Sequence, residues 1–211
     1  MNQPVLIIGA GGHGKVLADA LLVLGHSVIG FTDANPDKWN TTVLGCPVLG
    51  GDDIVKRHEI DSVVLANGIG SAGDLSTRRS TYLRFASLGY RFTTVVHPGA
   101  TVAKSVRLGE GVQIMAGAII QADAYIGDNT IINTGAVVDH DCVIGRHCHV
   151  APGCSLSGGI EIADESHIGT GVSIRQGIKL GTRTVVGAGA AIVADFPGEG
   201  MIAGVPARIV E

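Results

Sequence analysis

Aliphatic residues recur at every sixth position through the second half of this chain, from Val96 to Pro197, without an insertion. A strict period of six fits neither the ~3.6-residue period of an amphipathic helix nor the ~2-residue alternation of an ordinary strand. It is typical of a parallel β-helix, in which each hexad forms one flat side of a coil. The residues that open the seventeen hexads are Val96, Val102, Leu108, Ile114, Ile120, Ile126, Ile132, Val138, Ile144, Val150, Leu156, Ile162, Ile168, Ile174, Leu180, Val186 and Ile192.

Residues 1–95 show a different pattern, in which short apolar strands alternate with segments of helical spacing. Such alternation predicts a small parallel sheet with crossover helices. We therefore expect an α/β, Rossmann-like domain over residues 1–95, followed by a parallel β-helix domain with a C-terminal cap over residues 96–211. The elements predicted for the first domain are strands at Val5–Ile8, Val28–Phe31, Ser62–Ala66 and Phe92–Val96 and helices at Lys15–Leu24 and Arg78–Leu88.

The overall charge and hydropathy limit the class of partner. The net charge of -4 and the pI near 6.0 do not suggest a surface for nucleic acid or for an anionic membrane. No apolar segment approaches the length of a membrane span, and the N-terminal apolar run Val5–Ile8 lacks the features of a signal peptide. We therefore expect a cytoplasmic protein whose thiols stay reduced.

Three of the four cysteines, Cys142, Cys148 and Cys154, occupy the fifth position of successive hexads. That position otherwise holds small residues such as Ala, Val, Thr or Ser, which indicates an inward-facing slot. We expect these thiols to fill space inside the coil, because free Cys behaves as a small buried hydrophobe. A metal cluster or a redox site is the alternative.

Three segments together carry a family resemblance. They are the Ile8–Gly14 start, the Asn133–Gly145 run that contains His140 and Asp141, and the Ala203–Arg208 tail. The chain resembles the sugar O-/N-acyltransferase family of left-handed β-helix enzymes, which includes PglD-type and NeuD-type acetyltransferases. The resemblance implies a left-handed coil and homotrimers with active sites between subunits. It also implies acetyl-CoA as co-substrate and the 4-amino group of a nucleotide-linked 4-amino-4,6-dideoxy sugar as acceptor, without a metal.

The same resemblance implies roles for residues of the repeats. His140 would be the general base, and Asp141 would raise its basicity, as acyl transfer to an amine requires. The chain has Asp where some relatives have Glu, so a shorter side chain must reach the imidazole. His149 would contact acetyl-CoA. Small residues are expected to let the pantetheine arm approach the backbone of the next subunit, and the candidates are Thr170, Gly171, Gly187 and Ala188.

The Gly9–Gly14 turn satisfies the spacing G-x-G-x-x-G between a predicted strand and a predicted helix, and Asp33 follows nineteen residues after Gly14. Read alone, this pattern predicts an NAD site. Together with the repeats, it favours the diphosphate of a nucleotide sugar, bound by backbone amides at the helix N-terminus. The expected substrate-binding residues are Gly11, Gly12, His13, Asp33, Asn67 and Gly68.

Three other functions remain open at this point. A sialic acid O-acetyltransferase uses the same scaffold but needs no nucleotide site. A metal-dependent hydratase of the γ-carbonic-anhydrase type would need outward histidines that converge between subunits, and His140, His149 and His167 are the candidates. A non-enzymatic NAD-binding module would explain the glycine-rich turn but would leave the His-Asp pair without a role.

Overall fold

The computed structural model describes residues 3–210. The chain divides into two compact units, the first formed by the residues up to Gly70 together with Ser76–Pro98. The second contains the short loop Ser71–Leu75 and the residues from Gly99 onward. Met1, Asn2 and Glu211, which the two predicted domains include, lie outside the described residues. The assignment of 1–95 and 96–211 as separate domains stays a prediction.

The first unit is a five-stranded sheet flanked by two α-helices, with the strand order β3-β4-β2-β1-β5. Strands β1, β2, β4 and β5 run parallel, and β3 pairs with β4 in the antiparallel direction. The elements are β1 Val5–Ile8, α1 Gly12–Val23, β2 Val28–Thr32, β3 Thr42–Val43, β4 Cys46–Gly50, β5 Val64–Asn67, α2 Ser76–Ser87 and β6 Val95–Val96, with 3-10 helices at Pro36–Lys38, Asp52–Arg57 and Ile60–Ser62.

Two elements of this unit differ clearly from those predicted from the sequence. The β3–β4 hairpin was not predicted, although Cys46–Gly50 alternates between buried and exposed residues in the way of a half-buried strand. The predicted strand Phe92–Val96 is shorter than expected, because Phe92 makes only an isolated bridge to Leu65 and the regular strand begins at Val95.

The core of the first unit joins the inner strands to α2. Leu6 and Ile8 from β1 pack with Leu65 from β5 and with Phe85 from α2. These side chains are almost completely buried. Because β1 lies between the parallel strands β2 and β5, the carboxyl ends of the three strands form one edge, which positions the turn after β1.

The second unit is a parallel β-helix whose short strands stack on three faces, as the six-residue period predicts. The first face contains β7 Thr101–Val102, β10 Ile119–Ile120, β13 Val137–Val138, β16 Ser155–Leu156, β19 Ser173–Ile174 and β22 Ala191–Ile192. The second contains β8 Arg107–Leu108, β11 Tyr125–Ile126, β14 Val143–Ile144, β17 Glu161–Ile162 and β20 Lys179–Leu180. The third contains β9 Gln113–Ile114, β12 Ile131–Ile132, β15 His149–Val150, β18 His167–Ile168, β21 Thr184–Val186, β23 Gly200–Ala203 and β24 Arg208–Val210.

The residues that open the hexads face inward, and the fifth positions lie inside with them. Cys142, Cys148 and Cys154 are completely buried free thiols, which confirms that they fill the interior. Each is placed to donate a hydrogen bond to a carbonyl oxygen fifteen residues ahead, at 3.2 Å, 3.3 Å and 3.0 Å. Thr130 and Ser166 make the same contact, so the small polar residues of this slot tie each coil to the next.

The fourth position of most hexads adopts a left-handed backbone conformation, which turns the chain at each corner. Glycine occupies many of these positions, and Asp123, Asn129 and Asp141 occupy others with φ of 63°, 56° and 59°. Asp and Asn tolerate this conformation better than most residues with a side chain. The corner that carries Asp141 is therefore a regular turn of the coil.

The C-terminal tail extends the third face. Strand β23 pairs with β21 in parallel, and β24 folds back on β23 in the antiparallel direction. The tail therefore adds two strands to the coil. No helix in the described part of the chain combines the length and the apolar character needed to cross a membrane.

Replacing Ile144 by Ala should test the inward position of the hexad openers. Ile144 is 0% exposed, whereas the preceding Val143 is 45% exposed. Ile144→Ala should lower the free energy of unfolding by about 2–4 kcal/mol, because it leaves a cavity in the coil. The control Val143→Ala should cost about 0.5 kcal/mol or less, as expected for a surface position. Urea denaturation followed by circular dichroism measures both, and equal effects would contradict the assigned direction of these side chains.

Candidate active site

The His140–Asp141 pair lies at the corner between β13 and β14, where the chain turns from the first face to the second. His140 Nδ1 lies 2.7 Å from Asp141 Oδ2. Asp141 is held by its own backbone, since its N–H donates to the carbonyl oxygen of Ala122 at 3.0 Å. A carboxylate only accepts hydrogen bonds, so Nδ1 donates and Nε2 is left to accept a proton. The short Asp side chain does reach the imidazole.

The carboxylate also sets the basicity of the pair. The hydrogen bond from His140 to Asp141 raises the pKa of the imidazole, and the nearby charge of Asp139 acts in the same direction. Both side chains are open to solvent, at 54% and 65% exposed, which agrees with the outward orientation expected from their hexad positions. An exposed imidazole with a raised pKa is suited to take a proton from an incoming nucleophile.

A cavity of about 470 Å³ on the third face brings together four of the five residues expected to bind the cofactor. They are His149, Thr170, Gly187 and Ala188. Gly171 does not line the cavity, and its amide donates to the carbonyl oxygen of Pro152 at 3.0 Å. His149 is only 5% exposed, so its accessible edge is the part that faces the cavity.

Three polar side chains of this cavity were not among the residues predicted to bind the cofactor. His167 pairs in register with His149 one coil away, as their spacing predicts, and the two rings meet edge to face at 5.1 Å. Ser71 from the loop Ser71–Leu75 has its hydroxyl 3.0 Å from His167 Nδ1. Asn133 Nδ2 lies 3.0 Å from His149 Nε2. Burial lowers the pKa of His167, which keeps the ring neutral. The eighteen-residue offset could have identified His167, whereas the loop that carries Ser71 has no sequence signal.

The His140–Asp141 pair and this cavity lie at different parts of one coil. His140 is at the corner between the first two faces, whereas His149 begins the strand of the third face, and neither His140 nor Asp141 lines the cavity. Within residues 3–210, the His140–Asp141 pair therefore lies outside the cavity that holds His149 and Thr170.

A larger cavity of about 970 Å³ lies on the second face, and it contains none of the predicted site residues. Its lining includes the apolar side chains of Val143, Leu180 and Phe196. The charges at its rim pair with each other, as Lys179 and Glu161 do at 2.8 Å. His140 does not line this cavity, and the lining holds no histidine.

In the first unit, the glycines of the Gly9–Gly14 turn and Gly68, which follows β5, are of two kinds. Gly14 and Gly68 are needed for packing, since a Cβ atom would lie 2.0 Å and 2.6 Å from the carbonyl oxygen of Gly9. Gly11 and Gly12 would meet nothing within 4 Å, so their backbone is open at the start of α1. The open glycines are the ones that suit an anionic ligand. Gly68, expected at the ligand, is buried against the turn.

Asp33 follows β2 and holds this turn in place. Its Oδ2 accepts from the Ala10 amide and from Lys38 Nζ, both at 2.9 Å, and its Oδ1 accepts from the Asn35 amide at 2.9 Å. Burial raises the pKa of Asp33, but Lys38 and the two amides outweigh it and keep that pKa below its usual value. Asp33 thus stays charged, and both of its carboxylate oxygens accept hydrogen bonds from within the protein.

Lys38 is a residue that the sequence reasoning missed. Its Nζ lies 3.4 Å from the carbonyl oxygen of Ala10, and its side chain is 40% exposed. It places a cation beside the open glycines. The lysine belongs to the 3-10 helix Pro36–Lys38, and no motif marks it in the sequence.

Asn67 ends β5 and is 1% exposed. Its Nδ2 donates to the carbonyl oxygen of Arg78 at 3.0 Å, and its own carbonyl accepts from the Arg78 guanidinium at 2.8 Å. The side chain of Asn67 therefore links β5 to α2. His13, in the first turn of α1, is half-buried and packs near Gly70, whose Cβ atom would lie 3.1 Å from that of His13.

The thiols inside the coil are poorly suited to act as nucleophiles. Burial raises the pKa of Cys148 to about 12 and that of Cys154 to about 11, so both stay protonated. Within residues 3–210, no group of three or more His, Cys, Asp or Glu side chains is arranged to hold a metal ion.

Two family models match the chain. The model of the PglD N-terminal domain matches residues 4–85. The model of the bacterial transferase hexapeptide, with six repeats, matches residues 105–140 and 123–158. No curated protein matches the chain at a significant level.

Solved structures match over the whole chain. PerB from Caulobacter crescentus, crystallised with CoA and GDP-perosamine, is 40% identical with a TM-score of 0.91, over 100% of this chain and 99% of its own. The chain belongs to the left-handed β-helix sugar N-acetyltransferases. The acetyltransferase domain of PglB from Neisseria gonorrhoeae, in complex with acetyl coenzyme A, is 36% identical, with a TM-score of 0.90 and all of both chains covered. WeeI from Acinetobacter baumannii is 26% identical, with a TM-score of 0.87, over 99% of this chain and 100% of its own.

Membership in this family confirms the fold class and the acyltransferase activity expected from the hexads and the His-Asp run. The coil of the second unit is the left-handed β-helix of these enzymes. The roles of the individual site residues stay predictions.

Substitutions at the two kinds of glycine should have different effects, one on stability and the other on ligand binding. Gly14→Ala should destabilise the first unit by roughly 2–3 kcal/mol, because the new methyl group collides with backbone that cannot move freely. Gly12→Ala should leave stability unchanged and weaken the binding of a nucleotide sugar. Urea denaturation followed by the fluorescence of Trp39, the one tryptophan of the chain, reports on the first unit. A stable Gly14→Ala variant would contradict the packing seen at the turn.

Asp141→Asn should change the pH dependence of the reaction. Removal of the carboxylate lowers the pKa of His140 towards its usual value, so the rising limb of kcat/KM should move to lower pH. The maximal rate should fall by about tenfold, because the base is weaker and less well oriented. The matched control is Asp123→Asn, at the equivalent corner one coil earlier, with φ of 63°. If Asp141→Asn and Asp123→Asn gave the same profile, Asp141 would have no role in tuning the base.

Proposed function

We propose that this enzyme transfers an acetyl group from acetyl-CoA to the 4-amino group of a nucleotide-linked 4-amino-4,6-dideoxy sugar. The observation that carries the proposal is the hydrogen-bonded His140–Asp141 pair, at 2.7 Å, on an exposed corner of a hexapeptide coil. Support comes from PerB, which is 40% identical over the whole chain and was crystallised with CoA and a nucleotide-linked amino sugar.

The proposed reaction is a direct transfer. The neutral amine attacks the thioester carbonyl, and its proton passes to His140 Nε2 as the C–N bond forms. The C–S bond then breaks, and the thiolate of CoA takes up the proton that His140 accepted. Asp141 stabilises the imidazolium while the proton is on the ring. No acyl-enzyme forms, which agrees with thiols that are buried and protonated.

We place the nucleotide at the glycine-rich turn of the first unit. Gly11 and Gly12 offer open backbone at the N-terminus of α1, where amides and the helix dipole favour a diphosphate. His13 borders the same turn, and Lys38 adds a positive charge. Asp33, Asn67 and Gly68 support this site from behind, because their polar groups and close contacts are used within the protein.

We propose that acetyl-CoA occupies the third-face cavity with His149, Thr170, Gly187 and Ala188, and that Gly171 lies at its edge. The thioester must reach a general base that is not in this cavity. A homotrimer, in which the corner of His140 in one subunit meets the third face of the next, brings the two together. The active site would then lie between subunits.

The free cysteines fit a reducing compartment, and we place the enzyme in the cytoplasm. Its product, an N-acetylated nucleotide sugar, is an activated donor for a glycosyltransferase. We therefore assign it to polysaccharide or glycan biosynthesis.

His140→Ala should lower kcat by roughly 10²–10⁴, because the proton of the amine loses its acceptor. The affinity for CoA should change little, since the imidazole is outside the proposed cofactor cavity. A CoA-release assay with UDP-, GDP- and dTDP-linked amino sugars measures the rate, and calorimetry with CoA measures the affinity. His58→Ala is the control for the loss of a histidine without a proposed role.

The same assay distinguishes the proposed acceptor from its rival. Release of CoA with a nucleotide-linked amino sugar, and none with free sialic acid, supports N-acetylation of a nucleotide sugar. The reverse result would assign the chain as a sugar O-acetyltransferase. Near wild-type turnover by His140→Ala would refute the general-base role.

A further inference from the structure

The imidazole of His140 lies directly against Gly158, which occupies the same corner one coil further along the chain. A Cβ atom at position 158 would lie 2.5 Å from His140 Cε1, 2.6 Å from Nε2 and 3.1 Å from Nδ1. The first two distances are shorter than any real contact of a methyl group. Position 158 therefore has room for a side chain only if the imidazole moves.

The backbone at position 158 does not itself require glycine. Its φ lies outside the left-handed region, in contrast to the neighbouring Gly159, whose φ is 64°. The equivalent positions on the same corner carry side chains, namely Lys104, Ala122, Gln176 and Ala194. Gly158 is the only glycine at the third position of any of the seventeen hexads. The backbone of the coil therefore tolerates a side chain at this position. It is the His140 ring that leaves no space for one at position 158.

The backbone around Gly158 is held from both sides. The Cys142 thiol donates to the carbonyl oxygen of Ser157 at 3.2 Å, and the Gly159 amide donates to that of His140 at 2.8 Å. On the other side, the Gly177 amide donates to the carbonyl oxygen of Gly158 at 3.0 Å. The imidazole, in contrast, is held by the hydrogen bond from Nδ1 to Asp141 and is more than half exposed. If a methyl group at position 158 met the imidazole of His140, the imidazole would move and the backbone of the coil would keep its position.

We propose that Gly158 is a positioning residue for the general base: its missing side chain lets the imidazole of His140 lie flat on the coil with Nδ1 on Asp141. This inference rests on the proposed function, because it concerns the same base. Gly158 acts through His140, and its own atoms need not touch the reacting groups for this effect. A methyl group at position 158 would tilt the ring away from Asp141 and displace Nε2, the atom that accepts the proton.

Gly158→Ala should lower kcat by roughly 10–100-fold, as expected when a reacting group is misplaced by about an ångström. The KM values for both substrates should change little, because the proposed binding residues are elsewhere. The rising limb of the pH profile should move to lower pH, as the imidazole loses its carboxylate partner. Gln176→Ala, on the same corner one coil further, is the matched control and should behave as wild type. A fall in kcat with an unchanged pH profile would overturn the proposal.

The decisive experiment repeats the substitution in the His140→Ala background, where the ring is gone. Gly158→Ala should then cause no further loss of kcat and no loss of thermal stability, since nothing remains for the methyl group to meet. A further loss of similar size would show that Gly158 acts by itself, and would overturn the proposal. If Gly158→Ala alone failed to fold, a well-folded double variant would still support the collision, and an unfolded one would contradict it.

The two levels of inference fail in different ways. If wild-type protein released no CoA with any nucleotide-linked amino sugar, the proposed function would fail. If wild type were active and the double-variant cycle showed additive losses, only the role of Gly158 would fail.

Discussion

The stacking of one coil on the next is the constraint on which this molecule depends. Most hexads place an aliphatic opener in the core, and the backbone of each inner strand of a face pairs with the strands eighteen residues before and after it, as β14 does with β11 and β17. A two-residue strand would be unstable alone, but here its hydrogen bonds and its buried side chain repeat with the coil. The corners are fixed as a consequence, and so is any side chain carried on them. This rigidity makes an exposed histidine useful for chemistry.

The His140–Asp141 pair is held at an exposed corner of the coil. Asp141 occupies a left-handed corner position with φ of 59° that Asp accepts readily, so the residue that turns the chain also orients the imidazole. The next coil provides a flat surface at Gly158, against which the ring lies. The thiols inside the coil are buried, and they donate hydrogen bonds to carbonyl oxygens of the next coil. In the proposed function, the chemistry therefore takes place at the outer corners and faces.

In the first unit, glycines and one aspartate shape the turn that follows β1. Glycines at positions 14 and 68 let three backbone segments meet, while Gly11 and Gly12 leave amides open. Asp33 fixes the turn and draws Lys38 to its edge. Both carboxylate oxygens of Asp33, the acid expected near a ribose, thus accept hydrogen bonds from the protein, and the neighbouring Lys38 side chain is 40% exposed.

Several properties were determined by the sequence by itself. The period of six required a parallel β-helix, because no other regular structure buries one aliphatic residue in six. The third and fourth positions of the hexad placed His140 and Asp141 outside, and the fifth placed the cysteines inside, as the structure confirms. The pairing of His149 with His167 followed from their offset of one coil.

Tertiary structure alone decided the remainder, since those features depend on contacts between residues distant in sequence or on exact distances. The β3–β4 hairpin is too short for periodicity to identify, and Lys38 and Ser71 reach their sites from loops. Sequence could not show that Asp is long enough to bond the imidazole, which depends on the backbone angle at the corner. Nor could the sequence distinguish glycines that are needed for packing from glycines whose Cβ would meet nothing. It also could not show that a Cβ atom at position 158 would collide with the His140 ring one coil away, because that depends on the atoms around each glycine.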